Sequence, residues 1–177
     1  MKLPSVGQTP ALPEAAAPRS YEAQTQAFST WGGKLLQHAD VLHRIQAERR
    51  FAPITVQLAP TEACDSDCPF CSVQNRPVNK RIPWRGVAQT LLDFRTLGAK
   101  SVELTGGGNP LLYRDGVHNI NDVIGLADTL GYKIGVITSS ERPLRHLTRE
   151  SVEKLAWIRV SLIKLDEGVD PEGYDFE

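Results

Sequence analysis

The sequence has no surplus of charge of either sign. Lys and Arg number 20 against 21 Asp and Glu, a net charge of −1. That balance lacks the basic footprint that draws a protein to nucleic acid or to an anionic membrane. No apolar run approaches the roughly 20 residues of a bilayer-spanning helix. The first residues lack the apolar stretch of a secretory signal, and no internal repeat is visible. An even set of cysteines is missing as well. Three cannot complete a disulfide framework within one chain. What is present is the composition of one globular domain, with 177 residues, 41% hydrophobic and 23% charged. All three cysteines fall between Cys64 and Cys71. In a chain without an export signal, such a cluster suggests metal binding in a reducing, cytoplasmic compartment.

Periodicity divides the chain into three parts. Residues 1–25 carry four prolines and an alanine run, too few large apolar side chains to offset the entropy of ordering, and read as a mobile arm. Residues 26–50 hold an N-terminal helix in which Leu35, Ala39, Leu42 and Ile45 recur at helical spacing after Gly32-Gly33, with Arg49 and Arg50 near its negative end. His38 and His43 on this helix are expected to face solvent. Trp31 and Trp84 are expected to pack rather than bind.

Residues 51–177 alternate strand with helix. Ile54, Val56 and Leu58 mark the first strand, and Trp84, Val87, Leu91 and Phe94 a helix stopped by Gly98. Val102 and Leu104 mark the second strand, and Ile120, Val123, Ala127 and Leu130 a helix stopped by Gly131. Ile134, Val136 and Ile137 form the third strand, and residues 148–155 a short helix. Residues 157–162 form the fourth strand, with Ile158, Val160 and Leu162 on its apolar side. Such βα units predict an α/β fold with a parallel sheet of about four strands, and ligands gather at the carboxyl ends of such strands. The first strand runs toward the cysteines, and the second into Gly106-Gly107-Gly108. Both unusual features therefore belong to one sheet edge.

The cysteines are spaced C-x3-C-x2-C, at Cys64, Cys68 and Cys71. An iron–sulfur cubane prefers thiolate ligands, and three protein thiolates leave one of its four irons open to a further ligand. A structural zinc site would need a fourth ligand, for which His118 and His146 are available, but no second cysteine knuckle accompanies this one. Inert cysteines are the remaining reading.

The C-x3-C-x2-C loop after the first strand, with the aromatic Phe70 just before the last cysteine, resembles the signature of the radical S-adenosylmethionine (SAM) superfamily. The resemblance implies a partial (βα) barrel of the radical SAM type and a 4Fe–4S cluster on Cys64, Cys68 and Cys71. It implies that SAM chelates the open iron and is cleaved by one electron from an external reductant. The resulting 5′-deoxyadenosyl radical then takes hydrogen from a substrate that the sequence does not identify. Phe70 matches a position whose neighbourhood contacts adenine. Thr105-Gly106-Gly107-Gly108-Asn109-Pro110 resembles the family's Gly-Gly-Glu-Pro segment, which implies that Gly107, Gly108 and Asn109 hold the methionine end of SAM. Asn109 stands where the family has glutamate and brings no charge, though it can accept a hydrogen bond from the SAM amino group. Ser139 and Ser161, at the ends of the third and fourth strands, resemble family residues near the ribose and carboxylate of SAM. Hydroxyls that solvate strand ends are the bland alternative. Arg76, Lys80, Arg81 and Arg85 read as a solvated face or, less simply, as contacts to an anionic substrate.

The match covers about residues 50–166. The family core usually has six strands, and the segment that contacts adenine from a fifth strand has no counterpart. This implies a piece of a longer protein, or a chain completed by a partner. A non-catalytic iron–sulfur or SAM-binding module is the alternative to an enzyme.

Overall fold

The computed structural model describes residues 20–29, 32–49, 51–166, 168 and 170–174. The expected arm thus lies outside the described residues as far as residue 19, as do Trp31 and Arg50. Residues 21–25 differ from the expectation. They belong to helix α1, Tyr21–Phe28, whose N-cap Ser20 accepts a hydrogen bond from the Ala23 amide. The single N-terminal helix resolves into α1, a 3₁₀ segment at Gly32–Gln37, and α2 at Ala39–Glu48.

The centre of the molecule is a four-stranded parallel sheet in the order β1 (Thr55–Leu58), β2 (Ser101–Leu104), β5 (Lys133–Thr138), β6 (Leu155–Val160). Between β2 and β5 lies a two-residue antiparallel hairpin, β3 (Arg114–Asp115) and β4 (His118–Asn119). Helices α3 (Trp84–Leu97), α4 (Ile120–Thr129) and α5 (Arg149–Glu153) connect successive strands of the main sheet. The fold is α/β, with no closed barrel among the described residues. No described helix is long and apolar enough to cross a membrane.

Strand alternation sorts the two faces of the sheet. Leu58, Val102, Leu104, Ile134 and Val136 join Val87 and Leu91 of α3 and Val123, Ile124 and Ala127 of α4 in one buried cluster. The helical spacing read from the sequence is therefore the spacing that buries α3 and α4. Asn119 caps α4 through the Asn121 amide, and the Asp122 carboxylate returns to the Asn119 amide at 2.8 Å.

The intervening positions are more polar. The hydroxyls of Thr55 and Ser101 gather on the Phe28 carbonyl of α1 at 2.8 and 2.9 Å. The fully buried Glu103 accepts from Gln57 Nε2 at 2.8 Å through Oε1, while Oε2 has no hydrogen-bond partner among the described residues. The Tyr21 hydroxyl reaches the Ile158 carbonyl of β6 at 3.3 Å. The N-terminal segment is thus pinned to the sheet.

His38 corrects an expectation. It does not face solvent but is 6% exposed, with Nε2 2.8 Å from the Ala27 carbonyl and its ring edge-on to Phe28. Helical periodicity assigned it to the outer face, but the segment breaks just there, and His38 becomes the N-cap of α2. His43 is exposed as expected. Trp84 packs against the core with its ring stacked on His118, centroids 4.4 Å apart. The last strand ends at Val160, two residues earlier than its hydrophobic pattern suggests. Leu162 is 55% exposed in a 3₁₀ turn, Leu162–Leu165.

Gly135 is where β5 meets the aromatic ring of β6. A Cβ at this position would fall within the Trp157 ring. Gly135→Ala is expected to cost about 1–3 kcal/mol through overpacking of a site with no room to relax. The check is a lower urea midpoint at unchanged slope. An unchanged midpoint would mean that Trp157 does not cover Gly135.

Candidate functional site

The carboxyl ends of the strands meet at one place because the sheet is parallel. β1 leads into a long loop whose two ends are joined. Thr61 bridges Arg81, the Glu62 amide donates to the Lys80 carbonyl at 2.9 Å, and the Ile82 amide to Pro60 at 2.9 Å. Within this loop the Cys71 amide donates to the Cys68 carbonyl at 3.0 Å, and the Gln74 amide to Cys71 at 3.1 Å. These tight turns space the cysteines. None of the three is in a disulfide, and each is partly buried.

The glycine loop after β2 lies directly against the cysteine loop. Gly106 has φ +129°, a left-handed value that suits glycine, and a Cβ there would strike Ala59. A Cβ on Gly107 would meet the Glu62 carboxylate, and one on Gly108 the backbone of Glu62 and Ala63. The Asn109 amide then donates to the Ala63 carbonyl at 2.7 Å. The three glycines thus answer a demand of loop-on-loop packing, whatever else binds beside them.

A cavity of about 180 Å³ opens between the two loops. Cys64, Cys68 and Cys71 line it from the loop after β1. Gly107, Gly108 and Asn109 line it from β2, Ser139 from β5 and Ser161 from β6. Phe70 lies outside this lining and is 65% exposed. His118 and His146 are elsewhere. His118 stacks on Trp84, and the His146 carbonyl accepts from Asn121. Among the described residues, no group of three or more His, Cys, Asp or Glu side chains is arranged to hold a metal ion. A tetrahedral zinc site demands such convergence. A cubane takes one thiolate on each of three irons, so its sulfurs stand apart around a shared space. All three cysteines line the cavity.

Asn109 is 2% exposed, and its side chain is already engaged. Nδ2 donates to Asp65 Oδ1 at 3.0 Å, while Oδ1 accepts from the Thr138 hydroxyl at 2.8 Å and the Leu111 amide at 3.2 Å. An incoming amine would have to compete with these donors for Oδ1. Asp65 also binds Lys164 Nζ at 3.0 Å, and the same ammonium lies 2.8 Å from Glu141 Oε2. The network draws the ends of β1, β2, β5 and β6 together.

It sets two carboxylates against one ammonium. Burial alone would push the Asp65 carboxyl up, but the Asn109 and Lys164 hydrogen bonds together hold it below its ordinary value. The Lys164 hydrogen bond chiefly lowers Glu141. Burial would lower Lys164, yet its two carboxylates keep it raised.

No family model and no curated protein matches the chain. Among solved structures, Streptococcus suis SuiB bound to S-adenosylmethionine aligns with 21% identity and a TM-score of 0.47, over 68% of this chain and 27% of its own. A second structure of Streptococcus suis SuiB aligns with 20% identity and a TM-score of 0.46, over 68% of this chain and 26% of its own. This chain therefore spans about a quarter of the length of those proteins.

Sequence reasoning missed Asp65, Glu141 and Lys164. The signal was weak. A lysine just beyond a hydrophobic strand and an aspartate between two cysteines are ordinary residues until they are seen to meet. A second cavity, of about 350 Å³, lies behind the cysteine loop and is lined in part by Arg76, Lys80 and Arg81. Arg81 there is paired with Asp115 at 3.0 Å. Arg85 lines neither cavity.

Lys164→Met removes the cation and leaves two carboxylates facing each other. It is expected to cost about 1.5–3 kcal/mol at neutral pH, the scale of charged hydrogen bonds. Both carboxyls are depressed in the folded state from ordinary values of 3.8 and 4.5. Their contribution is therefore present above those values and lost as pH falls through the depressed ones. Urea melts of wild type and variant should differ most at neutral pH and converge in acid. A difference independent of pH below 4 would exclude the ion pairs as its source.

Proposed function

We propose that Cys64, Cys68 and Cys71 hold a 4Fe–4S cluster and that the adjoining cavity binds S-adenosylmethionine. The observation that carries this reading is that the three cysteines of the C-x3-C-x2-C loop line one cavity together with the glycine loop and the serines that follow β5 and β6. The cluster, reduced by an external one-electron donor, would supply the electron that splits SAM into methionine and a 5′-deoxyadenosyl radical, which takes hydrogen from a substrate.

The chain's own residues do five things in this reading. The cysteine loop presents three sulfurs from a segment closed at both ends by the Thr61–Arg81 bridge. Gly107 and Gly108 let the β2 loop lie close enough to enclose the space beside them. Asn109 holds the loops in register through Asp65 and Thr138, which is a positioning role rather than a direct grip on ligand. Ser139 and Ser161 are among the hydroxyl residues that line the cavity, and Ser161 is exposed enough to meet a ligand there. Phe70, with its ring exposed beside the last cysteine, is available to stack on a base that extends beyond the cavity.

Two outcomes are expected. Anaerobic reconstitution should yield about four irons and four sulfides per chain, and Cys68→Ala should abolish both. Stoichiometric zinc without sulfide in anaerobically purified protein would overturn the reading. In the reconstituted protein, Ser139→Ala with Ser161→Ala should weaken SAM binding about five- to tenfold in equilibrium dialysis, the scale of one net hydrogen bond. Iron content should be unchanged. Equal affinity would remove the two serines from the ligand site. Gly107→Val is a poor probe of the ligand, because its side chain would first displace Glu62.

A further inference from the structure

The cavity beside the cysteines contains one side chain of permanent charge, Arg76. Its guanidinium spans the whole cysteine loop. Nε donates to the Glu62 carbonyl, two residues before Cys64, at 3.0 Å. Nη1 donates to the Val73 carbonyl, two residues after Cys71, at 3.1 Å. The same Nη1 lies 3.4 Å from the Cys71 sulfur, within hydrogen-bonding range for sulfur. The planar fork is therefore held from both ends of the loop, and its position beside the sulfur does not depend on that sulfur alone.

Other cations near the loop are committed elsewhere or lie off the cavity. Lys164 is bound between Asp65 and Glu141, and Arg81 is bound to Asp115. Lys80 lines the second cavity and not the cysteine one. At the Cys71 sulfur, Arg76 therefore combines a donor with a positive charge.

We propose that Arg76 tunes the cysteine site, by donating a charged hydrogen bond to the Cys71 sulfur that raises the reduction potential of the group bound there. The inference rests on the iron–sulfur reading above. A thiolate bound to iron keeps lone pairs, and hydrogen bonds to those sulfurs and nearby positive charge both favour the more negative, reduced state. Arg76 supplies both at one sulfur. Its role is positioning and tuning, since it need not touch the reacting atoms.

The test compares wild type with Arg76→Met, Arg76→Lys and Arg85→Met, each reconstituted anaerobically. Arg85→Met removes an equal charge from α3, away from the cysteines. Iron and sulfide are counted first, and the reduction potential is then measured by electron paramagnetic resonance during a reductive titration. Arg76→Met is expected to keep its iron and shift to a more negative potential than wild type and Arg85→Met. Arg76→Lys should fall between. An unshifted potential in an iron-replete Arg76→Met would overturn the proposal. So would an equal shift in Arg85→Met, which would reduce the effect to net charge. Loss of iron from both Arg76 variants would assign Arg76 to folding the loop and overturn its electronic role. Wild type without iron and sulfide would instead defeat the cofactor reading, and this inference with it, a result distinct from a replete wild type whose variants do not shift.

Discussion

An ammonium taken almost out of water must be met by carboxylates, and Lys164, 7% exposed, is met by Asp65 from the cysteine loop and Glu141 from the segment after β5. Asn109 extends the contact to the end of β2 through Asp65, and Thr138 ties Asn109 to β5. Four chain segments that the sheet delivers side by side are thereby fixed to one another. The long loop after β1 is also held by the bridge at its base, by Arg76 and by the Asn109 amide on the Ala63 carbonyl. The position of the cysteines relative to the glycine loop depends on this small set of polar contacts.

A second constraint is steric. The loops approach so closely that Gly106, Gly107 and Gly108 have no room for a Cβ, because Ala59, Glu62 and Ala63 fill it. Glycine-rich turns near a ligand invite the explanation that the ligand needs the space. Here another stretch of the same chain already occupies it, and the ligand space is what lies beside the contact. The network and the contact act together, one holding the loops by charge and the other allowing them to come within reach.

Much of the fold was legible because α3, α4 and the main strands are amphipathic or apolar at the period of their own geometry. Val87 and Leu91, or Val123 and Ala127, bury one helix face wherever the helix sits. The cysteine and glycine segments were legible as a pair because a parallel sheet sends every strand's carboxyl end to the same edge. Less was legible where local and long-range demands conflict. His38 sits at an apparent solvent position of a helical pattern, yet the break before α2 turns it onto the Ala27 carbonyl. The strand pattern runs through Leu162, yet the chain turns at Ser161 and carries Lys164 into the network. Asn109, read as a ligand contact, lines the cavity and also binds Asp65, Thr138 and the Leu111 amide, partners its sequence neighbourhood does not name.

By itself the sequence determined the order of the four main strands and the helices between them, the apolar faces of α3 and α4, and the residence of three thiols on one loop. Those properties follow from periodicity and spacing, which are local. Only the tertiary structure decided which polar residues meet: Asp65 with Asn109, 44 residues away, and with Lys164, 99 residues away. It also decided that Arg76 turns back to the Cys71 sulfur rather than outward with its basic neighbours. A charged side chain reads the same in sequence whether it is solvated or paired. The difference is made by the desolvation that packing imposes and by the partner it brings within 3 Å, and neither exists until the sheet has formed.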